Sequence, residues 1–291
     1  MRPITINKHI FEWGSRTYVM GILNATPDSF SGDGLMSHGD VVERSVRQAE
    51  HFLRHDADIL DVGGESTRPG SQTVSADEEM ERVVPVIEAI SKQFSDAVIS
   101  IDTYKAKVAE EAIKAGAHIL NDVWALRADP SLAIIAKHYK VPVILMHNRS
   151  NPASVDVREQ LGNAYTGSEY DNLLEDVKRE LLVSVKLAKK AGIEEGQIIL
   201  DPGIGFGKTR EHNLELINRI DDIRALGYPV LLGPSRKSFI GFTLDLPADE
   251  RIEGTAATIA VGITRGADII RVHDVKEMSR VAKMTDAIVR G

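Results

Sequence analysis

The 291-residue sequence contains no cysteine. Disulfides, thiolate metal ligands and a cysteine nucleophile are therefore excluded. Aromatic residues make up only 5% of the chain, and no apolar stretch reaches the roughly 18 residues that a membrane span requires. The first residues, M-R-P-I-T-I-N-K-H, lack the apolar core of a signal peptide. These absences predict a cytoplasmic protein without a membrane partner.

Positive charge is also scarce. The chain has 35 Lys and Arg against 43 Asp and Glu, a net charge of -8 at pH 7. This balance argues against a nucleic-acid partner held by bulk electrostatics. It permits an anionic small-molecule substrate, because a few cations at a cleft outweigh distant carboxylates.

Short apolar runs recur eight times, each followed by a polar or glycine-rich loop and then a helix-patterned segment. Segments 77–90 and 174–188 show the apolar spacing of amphipathic helices, and Pro85 is a candidate kink in the first. Such alternation indicates a parallel sheet covered on both faces. The runs are Tyr18–Leu23, Ile59–Val62, Val98–Ile101, Ile119–Leu120, Val143–Met146, Ile198–Leu200, Val230–Leu232 and Ile269–Val272.

Eight such units predict a (β/α)8 TIM barrel, formed as a single domain over residues 1–291. A doubly wound sheet is the alternative. The first sixteen residues, with I-T-I and I-F-E-W around Asn7 and Lys8, predict a short β-hairpin that closes the bottom of the barrel.

Residues 197–209, Q-I-I-L-D-P-G-I-G-F-G-K-T, nearly match two phosphate-binding motifs. A P-loop needs glycine where Pro202 stands, and a dinucleotide fingerprint needs glycine where Lys208 stands. The glycines therefore have another purpose. We expect them to let the backbone pass close to a flat ligand held by Asp201.

Polar side chains stand directly after most of the predicted strands. In TIM barrels the carboxyl ends of the strands carry the active site. One set could hold the amide and amino edges of a flat heterocycle, and a second could hold a phosphate or a pyrophosphate with Mg²⁺. The first set is Asp102, Asn121, Asp201 and Lys237; the second is Asn24, Arg271 and His273.

Each of these residues also has a purely structural explanation. Asp201 could start a turn, Asn121 could cap a helix, and His273 could be a hydrogen-bonded core histidine. Their joint occurrence at one rim favours a site.

The motifs at these positions resemble those of the dihydropteroate synthase family. The agreement covers nearly the whole chain in order. It runs through M-G-I-L-N-A-T-P-D-S-F-S (20–31), D-V-G-G-E-S-T-R-P-G (61–70), I-S-I-D-T (99–103), N-D-V (121–123), L-M-H (145–147), L-D-P-G-I-G-F-G-K (200–208), S-R-K-S-F-I-G (235–241) and I-I-R-V-H-D-V (269–275).

The resemblance implies a transferase that joins 4-aminobenzoate to 6-hydroxymethyl-7,8-dihydropterin pyrophosphate in folate synthesis. It implies dissociative, Mg²⁺-assisted loss of pyrophosphate before amine attack, a homodimer formed through helices near the chain end, and a sulfonamide target. The implied pterin ligands are Asp102, Asn121, Asp201 and Lys237, with Met146 and Phe206 lining the pocket. The implied pyrophosphate ligands are Asn24, Arg271 and His273, with Asn24 on the metal, and the implied 4-aminobenzoate contacts are Phe30, Thr67, Arg68, Pro69, Ser238 and Lys237.

The implied catalytic residues are Lys237, Arg271, His273 and an acid on the first loop. The family continues that loop as S-D-G-G, whereas this chain has Ser31-Gly32-Asp33-Gly34, so that Asp33 is the candidate one place later. The loops at 24–38 and 63–75 are expected to close over the site. The long segment 148–170 is expected to form an excursion of its own.

Three alternatives to this function stay open at this point. A pterin methyltransferase domain has the same barrel and ring contacts. A Schiff-base aldolase would use Lys237 as its nucleophile. A protein that binds pterin without catalysis is the third.

Overall fold

A computed structural model describes residues 1–26, 38–67, 70–151, 155–156, 161 and 163–291. The chain begins with a hairpin of two antiparallel strands, β1 (Ile4–Ile6) and β2 (His9–Phe11). Asn7, in the turn between them, has a left-handed φ of 54°, a conformation that asparagine tolerates better than most residues. The predicted N-terminal hairpin is confirmed.

Eight parallel strands follow and form one sheet that curves into a barrel. The backbone N–H of Leu200 donates to Pro229 O at 2.9 Å, which links the two edge strands of this sheet and nearly closes the barrel. The TIM barrel is therefore confirmed and the doubly wound alternative is wrong. The strands are β3 (Tyr18–Asn24), β4 (Ile59–Gly63), β5 (Val98–Asp102), β6 (Ile119–Asp122), β7 (Val143–Met146), β10 (Ile198–Asp201), β11 (Leu231–Leu232) and β12 (Ile269–Val272). Their order in the sheet is β10-β7-β6-β5-β4-β3-β12-β11.

Helices cover the outside of the barrel. The predicted helix at 77–90 is α2 (Ala76–Gln93), which continues through Pro85, and the one at 174–188 is α5 (Leu173–Ala191). Gly192 ends α5 with a left-handed φ of 92°. The helices are α1 (His38–Arg54), α2 (Ala76–Gln93), α3 (Ala106–Ala115), α4 (Ser131–Tyr139), α5 (Leu173–Ala191), α6 (Arg210–Asn218), α7 (Ile220–Arg224), α8 (Ser238–Leu244), α9 (Ile252–Thr264) and α10 (Val275–Val289).

The amino-terminal half of the barrel interior is apolar. Ile6 and Phe11 of the hairpin pack into one cluster with inward-facing side chains from all eight strands, such as Met20, Ile59 and Ile119. The hairpin therefore fills the bottom of the barrel, and the polar groups that end the strands lie at the opposite mouth.

The excursion expected between residues 148 and 170 contains a short antiparallel pair, β8 (Val155–Asp156) with β9 (Ala164–Tyr165). The hydroxyl of Tyr165 donates to Thr67 O at 2.9 Å, so this pair contacts the loop after β4. Among the described residues, no helix is long and apolar enough to span a membrane.

Candidate active site at the carboxyl ends of the barrel strands

An arginine between two aspartates joins three strands at the barrel mouth. Arg271 of β12 donates from Nε to Asp61 Oδ2 and from Nη2 to Asp102 Oδ2, each at 2.6 Å. Burial opposes the charge of Arg271, but the two carboxylates outweigh it and raise its pKa further. Burial raises the pKa of Asp102 to about 7, against the opposing effect of Arg271.

This pairing connects the two sets of residues that the sequence predicts. Asp102 belongs to the expected ring-binding set and Arg271 to the expected pyrophosphate set. Asn121, beside Asp102 in the sheet register, donates from Nδ2 to Asp61 Oδ2 at 3.1 Å. The structure thus brings Asp102, Asn121 and Arg271 into one hydrogen-bonded cluster.

Asp201 lies across the mouth from this cluster, at the end of β10. It is only 6% exposed, and its Oδ1 accepts the backbone N–H of Gly203 at 2.7 Å. Burial raises the pKa of Asp201, and the positive charge of Lys237 works against that shift. The charge of Arg271 also acts on both Asp201 and Lys237. These charged groups therefore share one electrostatic environment.

Lys237 precedes α8 and reaches the loop after β10. Its Nζ donates to Ile204 O and lies 4.7 Å from the centroid of the Phe206 ring. Burial lowers the pKa of Lys237 to about 8, although the charge of Asp201 acts in the opposite direction. Phe206 is half-buried, and Met146 is buried at the end of β7.

The glycines of the loop after β10 allow close backbone contacts. Gly203 has a φ of 69°, and a Cβ on it would lie 1.8 Å from His147 O. A Cβ on Gly207 would lie 2.5 Å from the carbonyl carbon of Arg149. Gly203 and Gly207 therefore allow close contact with the segment after β7, and the expected approach of this loop to a flat ligand stays a prediction.

Other predicted site residues lie on the same rim. Asn24 is half-buried at the end of β3, in register with Gly63. The Nδ1 and backbone N of His273 lie 3.0 and 3.1 Å from Ser235 Oγ. Ser238 begins α8 and is half-buried, as is Thr67. Four predicted residues lie outside the described part of the chain: Phe30, Asp33, Arg68 and Pro69.

A buried lysine that the sequence motifs did not predict as part of the site lies behind the Gly203–Gly207 loop. Lys208 is 4% exposed, and its Nζ donates to Gly203 O at 2.9 Å, Phe206 O at 3.0 Å and His147 Nδ1 at 3.0 Å. The other ring nitrogen of His147 donates to Glu180 Oε2 at 3.0 Å. Burial, with a smaller effect from Lys208, lowers the pKa of His147 to about 4, so that the ring is neutral at pH 7.

Asp61 was missed as well, although the sequence carried a signal for it. It is a single charged residue within the buried strand I-L-D-V-G. A carboxylate in such a place is costly unless it is paired. Asp61 lies within its strand, whereas the predicted ring-binding aspartates end theirs.

The chain is similar in sequence to known proteins. The sequence profile of the pterin-binding enzyme family matches residues 20–273. The dihydropteroate synthase of Clostridium beijerinckii is 53% identical over 281 residues, which is 96% of this chain and 97% of that protein.

Solved structures are similar over the whole fold. Yersinia pestis dihydropteroate synthase in a sulfonamide drug complex superposes with a TM-score of 0.88 at 37% identity, covering 100% of both chains. Xanthomonas albilineans dihydropteroate synthase with 4-aminobenzoic acid has a TM-score of 0.87 at 36% identity, covering 98% of this chain and 97% of that one. The chain therefore belongs to the dihydropteroate synthase family of pterin-binding enzymes.

Proposed function

We propose that this chain condenses 6-hydroxymethyl-7,8-dihydropterin pyrophosphate with 4-aminobenzoate, forming 7,8-dihydropteroate and pyrophosphate. It is a transferase of folate biosynthesis. The observation that carries the proposal is the convergence of Asp102, Asn121, Asp201 and Lys237 at one barrel mouth, in a chain 53% identical to a dihydropteroate synthase.

The pterin ring is placed between the Asp102 cluster and Asp201. A carboxylate accepts two N–H groups from the amino and amide edge of such a ring, which satisfies a charge that would be costly alone. Lys237 donates to a ring acceptor. Its Nζ lies over the Phe206 ring, so the flat apolar face of Phe206 lies beside the pterin. Met146, buried at the end of β7, is proposed to line the pocket.

The pyrophosphate is placed toward Asn24 and His273, with Arg271 at the boundary between the ring and the leaving group. Arg271 keeps its charge at any working pH, and a cation here stabilises the negative charge that develops as pyrophosphate leaves. The imidazole of His273, held near Ser235 Oγ, is a further donor.

Magnesium is consistent with the donors at this rim. Mg²⁺ prefers oxygen ligands and usually combines one or two side chains with substrate phosphates and water. The amide oxygen of Asn24 is such a ligand, and the described residues contain no cluster of three His, Cys, Asp or Glu that would hold the ion alone. When bound with the substrate, Mg²⁺ would offset the charge of the diphosphate.

The reaction then proceeds by dissociative substitution. The bond between the pterin methylene carbon and oxygen breaks with its electron pair on pyrophosphate, and the resulting cation is delocalised into the dihydropterin ring. The aryl amine attacks this carbon, forms the C–N bond and loses a proton. Because the amine is a weak nucleophile, its positioning matters more than its activation.

The 4-aminobenzoate is placed between the loop after β4 and the start of α8. Thr67 lies in the loop after β4, Ser238 begins α8, and Tyr165 contacts the loop after β4 through Thr67 O. Phe30, Asp33, Arg68 and Pro69 are proposed to complete the site from the segments outside the described residues.

The test is pyrophosphate release from purified protein given both substrates and Mg²⁺. The proposal predicts release that requires 4-aminobenzoate and forms dihydropteroate in equal amount. Pterin binding without release would leave a binding protein only. Borohydride trapping of a carbonyl substrate on Lys237 would instead support the aldolase alternative.

We also infer a homodimer through the helices near the chain end. Large apolar side chains are exposed on α10, with Met284 at 63% and Ile288 at 70%, and Val261 of α9 is 43% exposed. Burying such a patch stabilises association. Light scattering should give twice the mass of the 31.9 kDa chain, and Ile288→Lys should lower it toward the monomer.

A further inference from the structure

Asp61 lies one layer beneath the ring site. It is the third residue of β4, two positions before Gly63, and Gly63 is the register partner of Asp102. Because side chains two residues apart on a strand point to the same face, Asp61 projects into the barrel below the level of Asp102. Its side chain is fully buried, whereas that of Asp102 is 11% exposed.

A single oxygen of Asp61 holds two residues of the site. Asp61 Oδ2 accepts from Arg271 Nε at 2.6 Å and from Asn121 Nδ2 at 3.1 Å. Its other oxygen, Oδ1, is buried without a partner among the described residues. The charge of Arg271 offsets the cost of burying this carboxylate.

The chemistry of a carboxylate fixes the orientation of Asn121. An ionised carboxylate can only accept hydrogen bonds, so the amide must turn its NH2 group toward Asp61. The carbonyl oxygen of Asn121 is then the end left for a ligand. The pocket therefore presents an acceptor at this position, which favours a ligand N–H over a ligand lone pair.

Asp61 and Asp102 hold Arg271 in different ways. In the proposed function, Asp102 must turn its acceptors to the pterin ring, and its bond to Arg271 Nη2 is then shared or exchanged. The bond from Arg271 Nε to the fully buried Asp61 lies below the ring and is kept.

We propose that Asp61 is the positioning residue that sets the hydrogen-bond polarity of the ring pocket, by orienting the Asn121 amide and anchoring Arg271 through Nε. The inference rests on the proposed function, since it names what selects a pterin among related pteridines. Asp61 acts through Asn121 and Arg271 and does not itself touch the ring.

The experiment compares Asp61→Asn with the wild type in direct binding of three probes by calorimetry. The probes are 6-hydroxymethylpterin and its 2,4-dioxo and 2,4-diamino analogues, which exchange hydrogen-bond donors and acceptors at different ring positions. The wild type should prefer the pterin to at least one analogue. In Asp61→Asn the amide at residue 61 can donate, so Asn121 can turn, and that preference should fall about tenfold.

Asp268→Asn is the matched control. Asp268 is also fully buried and accepts from an arginine, Arg224, but it lies before β12 at the opposite end of the barrel. This variant should lose stability without changing the preference among the three probes. A general loss of packing would change the preference among the probes to the same extent in both variants.

Asn121→Ala keeps the inference testable should Asp61→Asn fail to fold. Removing the amide should abolish the same preference, and adding Asp61→Asn to it should then change nothing more. A preference retained in Asp61→Asn or in Asn121→Ala, or absent from the wild type, overturns the inference. Failure of the wild type to bind any pterin would overturn the proposed function instead.

Discussion

Arg271 donates to Asp102 at 2.6 Å across the barrel mouth, so that an expected leaving-group cation and an expected ring ligand form one ion pair. This contact places the boundary between the two halves of the substrate at Arg271. It also means that ring binding and the charge of Arg271 are coupled, because both depend on the same carboxylate.

Asp102→Asn keeps the shape of the side chain and removes its charge. We expect the affinity for 6-hydroxymethylpterin to fall by about 10- to 100-fold, since a charged hydrogen-bond acceptor is lost. Calorimetric titration measures this. Asp96→Asn is the control, because Asp96 is exposed near the hairpin, where it pairs with Lys8. The affinity of this variant for 6-hydroxymethylpterin should equal that of the wild type. Equal affinities in all three proteins would remove Asp102 from the ring site.

Arg271→Lys retains a positive charge but has one nitrogen where the structure uses two. A lysine cannot reach Asp61 and Asp102 together in the geometry of Nε and Nη2. We expect kcat to fall by about 10²-fold or more, as when a donor to a developing anion is removed.

Steady-state kinetics with both substrates tests this, with Arg265→Lys as the control. Arg265 bonds to Asn218 on the outer helices, so its replacement should leave kcat unchanged. A kcat near that of the wild type in Arg271→Lys would show that the paired geometry is unimportant.

The pH dependence of kcat/KM should be bell-shaped. Asp102, with a pKa of about 7, loses its charge as pH falls, and Lys237, with a pKa of about 8, loses its charge as pH rises. Since kcat/KM reports the free enzyme, the rate should decline below about pH 7 and above about pH 8. Lys237→Arg should remove the alkaline decline, because arginine stays charged. The same decline in both proteins would assign it to another group.

The sequence predicted most of the fold because the signal is local. Apolar runs such as Val143–Met146 coincide with the strand bounds of β7. Differences are confined to the ends, as at Val230, which precedes β11 and makes only an isolated bridge with Leu200. The rule that strand ends carry the site also found Asp102, Asn121 and Asp201.

The contacts that hold the site were not predictable in this way. Lys208 meets His147 from 61 positions away, and Glu180 reaches the same histidine from α5. No local pattern encodes such approaches, since they depend on how β7, β10 and α5 pack together. The roles of Phe30, Asp33, Arg68 and Pro69 stay predictions from the family resemblance.

Gly203→Ala adds only one methyl group but should strongly lower the stability of the fold. The new Cβ would lie 1.8 Å from His147 O at a φ of 69°, so the loop beneath Asp201 would have to move. We expect a loss of more than about 3 kcal/mol in the free energy of unfolding. Gly196→Ala is the control, because nothing lies within 4 Å of its added Cβ. Denaturant unfolding compares them, and similar stabilities would contradict the close approach.

The most direct measurement is a crystal structure of the protein with 6-hydroxymethyl-7,8-dihydropterin pyrophosphate and Mg²⁺. We expect ring N–H groups within about 3.2 Å of the Asp102 and Asp201 carboxylate oxygens. We also expect the diphosphate to lie toward Asn24 and His273, with Arg271 still bonded to Asp61. A ring bound away from both carboxylates, or a diphosphate beside Asp201, would contradict it.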